Sequence, residues 1–287
     1  MPLQIRNDRR FRRRRRVAAA AIGLLLVAAA YLVLAATLLV PVDKHGARLA
    51  HLQVESKAVG RELGVNVIVP SRAGPSGQRW LMVMLHGRGG NETTFNDEVF
   101  EHLGEVRGQT PVYAFPDGGD HSYWHNRAEG DWGAYVIDEV IPTVVKRFGV
   151  DPHRIAIGGI SMGGFGAFNF ALHHPGRFCA VGGHSPALWL EASETAPGAF
   201  DDAADFERND VVGTVEADPN AFGTTRVWID YGEEDDFHPY DDSFVAAMEA
   251  GEGDFTHHSW PGGHEGSYWA AHWPVYQRFY VKALRGC

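Results

Sequence analysis

Short apolar runs alternate with polar or glycine-rich turns over most of the chain. Apolar runs of about 4–8 residues that end in turn residues are typical of strands buried in a sheet. We predict such strands at 63–70, 80–85, 111–116, 155–157, 180–183, 226–231 and 255–260. Helix-compatible segments lie between them, at 93–103, 135–148, 162–174, 243–250 and 269–284, the last divided by Pro274.

Strands and helices therefore alternate along the chain. This order predicts an α/β fold with a mostly parallel sheet and helices on both faces. In such sheets ligands bind beyond the carboxyl ends of the strands. The positions that can carry chemistry each follow an apolar run, and they are His86 with Gly87, Asp117, Ser161, Asp235 and His264. We expect them at one edge of the sheet.

Residues 17–40 contain no charged residue and consist mainly of Ala, Leu, Val and Ile. As a helix this segment would be roughly 36 Å long, which is enough to cross a bilayer. Arginines precede it directly, so the positive-inside rule predicts a cytoplasmic N-terminus and an extracytoplasmic body. Secretion after signal cleavage is the alternative, because Ala35 and Ala36 offer small residues to a peptidase. The apolar core of a signal peptide is usually shorter, about 7–15 residues.

These patterns predict four parts. Residues 1–16 form a basic cytoplasmic segment, and residues 17–40 form one transmembrane helix, which would hold the protein at the membrane. Residues 41–58 are polar and helix-compatible, and we interpret them as a stem. Residues 59–287 contain all of the predicted strands and form the α/β domain.

The net charge is unevenly distributed between these parts. Residues 1–16 hold eight arginines and one aspartate and so carry +7. The whole chain carries −10, which leaves −17 on the remainder. An acidic body argues against a nucleic-acid partner, because binding to phosphates depends on Lys and Arg.

The chain has two cysteines, Cys179 and Cys287. Export would permit a disulfide between them. Cys287 is the last residue and Cys179 enters a predicted strand, so we expect a buried thiol and a free terminal thiol. Neither cysteine lies in a metal-binding or catalytic pattern.

The pentapeptide GISMG at 159–163 matches the pattern G-x-S-x-G and lies between a predicted strand and a predicted helix. This context holds the serine on a tight turn, because glycines without Cβ atoms let the strand and the helix pass close to it. The turn would lift the hydroxyl of Ser161 above the carboxyl edge of the sheet. We predict that Ser161 is a nucleophile.

A serine hydroxyl is a weak nucleophile near neutral pH and needs a base that is itself oriented by an acid. His264 lies on a glycine-rich loop after the last strand, and we predict that it is the base. Asp235 follows the strand at 226–231 in a Gly-x-x-Asp turn and is the predicted acid, with the adjacent Asp236 as the alternative. The order serine, acid, histidine is that of α/β-hydrolases.

An oxyanion hole for such a serine needs two backbone N–H groups. One would come from Met162, directly after the nucleophile. The other would come from the loop HGRGG at 86–90, and we assign it to Arg88. The glycines of this loop, including Gly87, would let its backbone approach the substrate.

Residues 60–287 resemble the esterase D branch of the α/β-hydrolases, which includes S-formylglutathione hydrolases, feruloyl esterase domains and the antigen 85 mycolyltransferases. The matching pieces are His86-Gly87 after a strand, Tyr123-Trp124, the motif GISMGG at 159–164, Gly232-x-x-Asp235 and Gly263-His264. The resemblance implies a triad of Ser161, Asp235 and His264, with Arg88 and Met162 at the oxyanion positions.

The substrate walls are predicted to come from two segments, the loop at 120–130 and the insert at 190–225. Trp124, Trp189 and Phe200 are candidate wall residues, and His86 and Gly87 are candidate substrate contacts. Each of the three aromatic residues fits core packing equally well. The substrate class expected from the family is a small-molecule ester or a lipid or cell-envelope ester.

Several histidines could suggest a metal. His121 and His125 are four residues apart and His173 and His174 are adjacent, but no third ligand follows at a recognisable spacing. We predict neither a metal nor a cofactor.

The leading hypothesis is therefore a membrane-anchored extracytoplasmic serine esterase that forms an acyl-enzyme on Ser161. A first alternative is an acyltransferase that passes the acyl group to a sugar or lipid hydroxyl. A second alternative is an inactive binding module on a hydrolase fold, which the filled triad positions argue against.

Overall fold

The computed structural model describes residues 42–287, together with residues 14, 22, 23 and 27. The chain divides into two compact units, Met1–Asp43 and Lys44–Cys287. The segment predicted to cross the membrane, 17–40, lies outside the described residues except for 22, 23 and 27, so the anchor stays a prediction. No helix within the described part of the chain is long and apolar enough to cross a membrane.

The described residues form a main sheet of eight strands and a small antiparallel pair, Asn126–Arg127 with Gly130–Asp131. The strands are β1 (Arg48–Ser56), β2 (Arg61–Val69), β3 (Arg79–Leu85), β4 (Val112–Pro116), β5 (Val150–Ile160), β6 (Ala180–His184), β7 (Arg226–Gly232) and β8 (Phe255–Trp260). Their order across the sheet is β1-β2-β4-β3-β5-β6-β7-β8. The strand β2 pairs antiparallel with β1 and β4, and all the other neighbours are parallel. The predicted mostly parallel sheet is confirmed.

Helices connect most of the strands. They are α1 (Asn96–His102), α2 (Ile141–Phe148), α3 (Met162–His173), α4 (Ala203–Arg208), α5 (Val211–Ala217), α6 (His238–Glu249) and α7 (Gly266–Arg285). A short α-helical turn, Trp132–Ala134, and a π-helix, Tyr135–Val140, lead into α2. The predicted interruption at Pro274 is wrong, because α7 continues through this residue as one amphipathic helix.

The strand β1 corrects the interpretation of residues 41–58 as a helix-compatible stem. Residues 48–56 pair with β2 along their whole length. Leu52 and Ser56 are buried, whereas His51 and Gln53 are exposed. This alternation is that of an edge strand with one face on the core, so this stretch belongs to the α/β domain.

Glycines in the central strands let helices approach both faces of the sheet. A methyl group at Gly158 would meet the hydroxyl of Tyr280 in α7, whereas one at Gly159 would meet Gly163 in α3. Successive residues of a strand point to opposite faces. Helices α3 and α7 therefore cover opposite faces of β5.

A disulfide joins Cys179 to Cys287, so the expectation of two free thiols is wrong. Cys179 lies directly before β6, and Cys287 follows the C-terminus of α7. The bond fastens the end of the last helix to a central strand. The two positions are 108 residues apart in the sequence, and the fold alone brings them together.

Candidate active site

Ser161 lies on the turn between β5 and α3, at φ 55° and ψ −117°. A non-glycine residue at positive φ is strained and needs support from its surroundings. Gly159 and Gly163 make the turn possible, because a methyl group at Gly163 would overlap the carbonyl oxygen of Leu85 at the end of β3. The sequence pattern and the turn geometry agree.

The structure brings Ser161, His264 and Asp235 together. The Oγ of Ser161 lies 2.8 Å from Nε2 of His264. The Nδ1 of His264 lies 2.9 Å from Oδ2 and 3.1 Å from Oδ1 of Asp235. Because a carboxylate only accepts, Nδ1 carries the proton, and Nε2 is left to accept from the serine hydroxyl.

The carboxylate of Asp235 is fully buried, whereas the ring of His264 is 26% exposed. Burial acts to raise the pKa of Asp235. The hydrogen bond and charge of His264, together with hydrogen bonds from the Phe237 N–H and Ser185, outweigh burial and hold this pKa below its ordinary value. Asp235 therefore stays ionised and accepts the hydrogen bond from Nδ1 of His264. Asp236, the alternative acid, is exposed, and Asp235 is the residue that contacts His264.

The loop after β3 passes directly beside the serine. The position of a Cβ on Gly87 would be 3.4 Å from the Cβ of Ser161. The N–H of Gly89 donates to the carbonyl oxygen of Asp120 at 2.9 Å, which holds the loop down. Met162 is the first residue of α3, so its N–H belongs to the turn whose donors have no acceptor within the helix. Met162 directly follows Ser161, and Arg88 directly follows Gly87 on this loop, and their role as oxyanion donors stays a prediction.

His86 does not contact substrate space, contrary to the sequence analysis, because its side chain is only 1% exposed. Its Nδ1 donates to the carbonyl oxygen of Gly87 at 2.8 Å, and its Nε2 accepts from the N–H of Gly118 at 2.8 Å. Burial lowers the pKa of His86, which favours the neutral ring that this pattern requires. His86 fastens the loop to the end of β4.

Trp124 is a core residue rather than a substrate wall. It has no exposed surface. Its Nε1 donates to the carbonyl oxygen of His86 at 3.2 Å, and its ring occupies the space that Gly118 and Gly166 leave open. The large ring fills a gap between the oxyanion loop and α3, so its effect on the site is indirect.

The aromatic residues beside the triad differ from those predicted. Trp189 is buried, and Phe200 is half-buried in the same cluster. Phe237 and Trp269 both pack against the His264 ring, with ring centroids 5.3 Å and 5.1 Å away. Both are partly exposed. Sequence reasoning missed these two, although Trp269 follows His264 closely in an aromatic-rich segment.

No group of three or more His, Cys, Asp or Glu that could hold a metal occurs within the described part of the chain. Three of the four histidines considered as ligands have other partners. His125 contacts Asp205 at 3.0 Å, and His173 contacts the carbonyl oxygen of Asn169 at 2.9 Å. His121 contacts Asp120 at 3.1 Å.

The sheet order, the strained serine turn and the hydrogen-bonded Ser-His-Asp line define an α/β-hydrolase. The model of the family described as "Putative esterase" matches residues 56–280, and the chain belongs to this family. Esterase Rv1288 of Mycobacterium tuberculosis is 27% identical over 157 residues, which cover 51% of this chain and 34% of that protein. S-formylglutathione hydrolase of Mus musculus is 28% identical over 157 residues, covering 50% of this chain and 54% of that protein.

The match therefore spans about a third to a half of the length of these curated relatives. Among solved structures, an S-formylglutathione hydrolase from Agrobacterium tumefaciens superposes with a TM-score of 0.71 at 20% identity. The superposition covers 84% of this chain and 96% of that one. At this identity the likeness shows the α/β-hydrolase fold.

Proposed function

We propose that the protein is a serine esterase that hydrolyses carboxylic esters through an acyl-enzyme on Ser161. One observation carries the proposal. A continuous chain of hydrogen bonds runs from Ser161 Oγ through His264 to the buried Asp235, with distances of 2.8 Å and 2.9 Å. Membership of an esterase family supports the ester as substrate.

In the acylation step, Ser161 Oγ forms a bond to the ester carbonyl carbon while its proton passes to Nε2 of His264. The carbonyl oxygen becomes an oxyanion and accepts hydrogen bonds from the N–H groups of Arg88 and Met162, each worth about 3–4 kcal/mol. Asp235 stabilises the imidazolium that forms. The intermediate collapses, the ester C–O bond breaks, and the leaving alcohol takes the proton from Nε2.

Deacylation runs through the same groups. The exposed edge of His264 is open to a water molecule, which loses a proton to Nε2 as its oxygen attacks the acyl carbon. As this intermediate collapses, the bond between the acyl carbon and Ser161 Oγ breaks, Oγ takes the proton back from Nε2 of His264, and the acid is released. A hydroxyl of a sugar or lipid could reach the same edge in place of water, so acyl transfer is the second candidate.

We also propose that the domain works outside the cytoplasm, held by a membrane anchor at 17–40. The disulfide between Cys179 and Cys287 supports export, because disulfides persist mainly in oxidising compartments. Protease added to intact cells is expected to remove the domain and leave a small N-terminal fragment. Complete protection of the domain would contradict the outward orientation.

The activity is tested with the full-length protein and a panel of p-nitrophenyl esters of graded acyl length, with and without glycerol or trehalose as acceptor. Ser161→Ala should abolish hydrolysis, and Ser76→Ala, an exposed serine before β3, should leave it unchanged. Acylated glycerol or trehalose among the products would favour the transferase. If the wild-type protein neither hydrolyses any ester nor is labelled by a fluorophosphonate, the result would favour a binding module instead.

A further inference from the structure

A second buried aspartate lies beneath the triad. Asp230, near the end of β7, has no exposed surface. Within the described part of the chain its carboxylate accepts from four donors. These are His184 Nδ1 at 2.6 Å, Trp228 Nε1 at 2.7 Å, Tyr276 OH at 2.6 Å and Tyr268 OH at 3.2 Å. Each of the two carboxylate oxygens thus accepts two hydrogen bonds.

His184, the last residue of β6, joins this carboxylate to helix α7. Its Nε2 lies 2.9 Å from the hydroxyl of Tyr280, and its ring stacks on Tyr276 at a centroid distance of 3.7 Å. Burial raises the pKa of both tyrosines well above the ordinary value, and the charge of Asp230 adds to this. The hydroxyls therefore remain protonated and can donate.

The network reaches the segments that carry all three triad residues. The carbonyl oxygen of His184 accepts the backbone N–H of Ser161 at 3.0 Å. Asp230 lies on the strand whose following turn carries Asp235. Tyr268, which donates to Asp230, lies in the first turn of α7, four residues after His264.

Ser185 adds a second connection at the same place. Its N–H donates to the carbonyl oxygen of Asp230 at 2.6 Å, and its Oγ accepts from Trp269 Nε1 at 3.1 Å. It also hydrogen-bonds to Asp235 and helps to hold that carboxyl ionised. Its φ of 46° is positive, so this residue too is strained. The backbone is held at two consecutive positions directly under the triad.

We propose that Asp230 is a positioning residue that fixes the mutual placement of Ser161, His264 and Asp235. It acts through the hydrogen bonds of His184, Tyr268 and Tyr276. The inference rests on the proposed esterase function, since its effect is measured on the turnover of that site.

Stability alone does not account for this cluster. Burying a carboxylate costs several kcal/mol, and replacing buried ionic groups by well-packed apolar residues is often neutral or stabilising. A carboxylate that accepts four hydrogen bonds instead fixes the position and orientation of each donor side chain. Catalysis requires such precision, because a displacement of about 1 Å from a remote substitution can lower the rate on the order of a hundredfold.

The test uses Tyr268→Phe and Tyr276→Phe, which remove one hydroxyl each and keep the ring packing. The matched control is Tyr231→Phe, whose hydroxyl donates at 2.6 Å to Asp242, an aspartate outside the network. For each full-length variant, kcat and KM on a short-chain p-nitrophenyl ester, the rate of fluorophosphonate labelling and the melting temperature are measured. Fluorophosphonate labelling reports on the reactivity of Ser161 and does not depend on how an ester substrate binds.

We expect kcat and the labelling rate of both network variants to fall on the order of tenfold, with KM nearly unchanged. Tyr231→Phe should match the wild type in both. If both network variants melt at a lower temperature but keep wild-type kcat and labelling below that temperature, the role is structural and the proposal is overturned. If the wild type itself neither turns over esters nor labels, the esterase function fails first, and this inference fails with it.

Discussion

The backbone N–H of Ser161 lies 3.0 Å from the carbonyl oxygen of His184. This bond joins the strained serine turn to the neighbouring strand β6, while the carbonyl oxygen of Ser161 accepts from the N–H of Ala187 at 3.0 Å. The two polar backbone groups of the serine are therefore held by the last residue of β6 and by the segment that follows it. The positive φ of Ser161 is maintained by its surroundings, as a strained residue requires.

Asp235→Asn is predicted to lower kcat by about 10⁴-fold, because the amide can present an N–H to Nδ1 and so favour the wrong tautomer of His264. The matched control is Asp236→Asn, an exposed neighbour, which should change kcat less than twofold by the same assay of ester hydrolysis. Equal losses in the two variants would contradict the assignment of Asp235.

The disulfide between Cys179 and Cys287 should contribute about 2–5 kcal/mol to the free energy of unfolding, because it closes a long loop in the unfolded chain. Thermal unfolding of the wild type should shift to a lower temperature when a reductant is added. Cys287→Ser should already unfold at the lower temperature and should not respond to the reductant. If full reduction left the melting temperature of the wild type unchanged, the disulfide would not contribute to the free energy of unfolding.

Asp241 is completely buried in α6, and neither of its carboxyl oxygens has a hydrogen-bond partner among the residues that the structure describes. Burial raises its pKa well above the ordinary value of 3.8, and the charges of Asp235, Asp230 and Asp242 add to this. A carboxyl with a raised folded-state pKa favours folding below pH 3.8, and this contribution is lost as the pH rises towards the folded pKa.

Asp241→Asn does not titrate, so it should stabilise the protein at pH 7 by about 1–3 kcal/mol and lose this advantage near pH 4. Urea unfolding of wild type and variant at both pH values measures the difference, with the exposed Asp236→Asn as control. An advantage that is equal at both pH values would mean that titration of Asp241 is not its source.

Much of the fold could be predicted from the sequence, because strands buried on both faces are continuous apolar runs. Each of the seven predicted strands overlaps an observed one, and the turns after them carry the expected residues. The edge strand β1 was missed, although Leu52 and Val54 alternate with polar residues. With one face in solvent its composition is polar, and composition alone does not distinguish it from a stem.

The site was predicted where it depends on local motifs and missed where it depends on three-dimensional packing. Ser161, His264 and Asp235 each follow a strand, and the topology brings strand ends together. Burial of His86 and Trp124 follows instead from the path of neighbouring loops. The network around Asp230 joins three segments that share no motif, and the disulfide joins positions 108 residues apart.

The acyl-enzyme on Ser161 is tested most directly by intact-protein mass spectrometry after brief mixing with a p-nitrophenyl ester and acid quenching, followed by peptide mapping. The account predicts a mass increase of one acyl group, located on the peptide that contains Ser161. The adduct should be absent in Ser161→Ala and should accumulate in His264→Gln far more slowly than in the wild type. Turnover of the ester with no adduct on Ser161, or an adduct that persists in Ser161→Ala, would contradict the account.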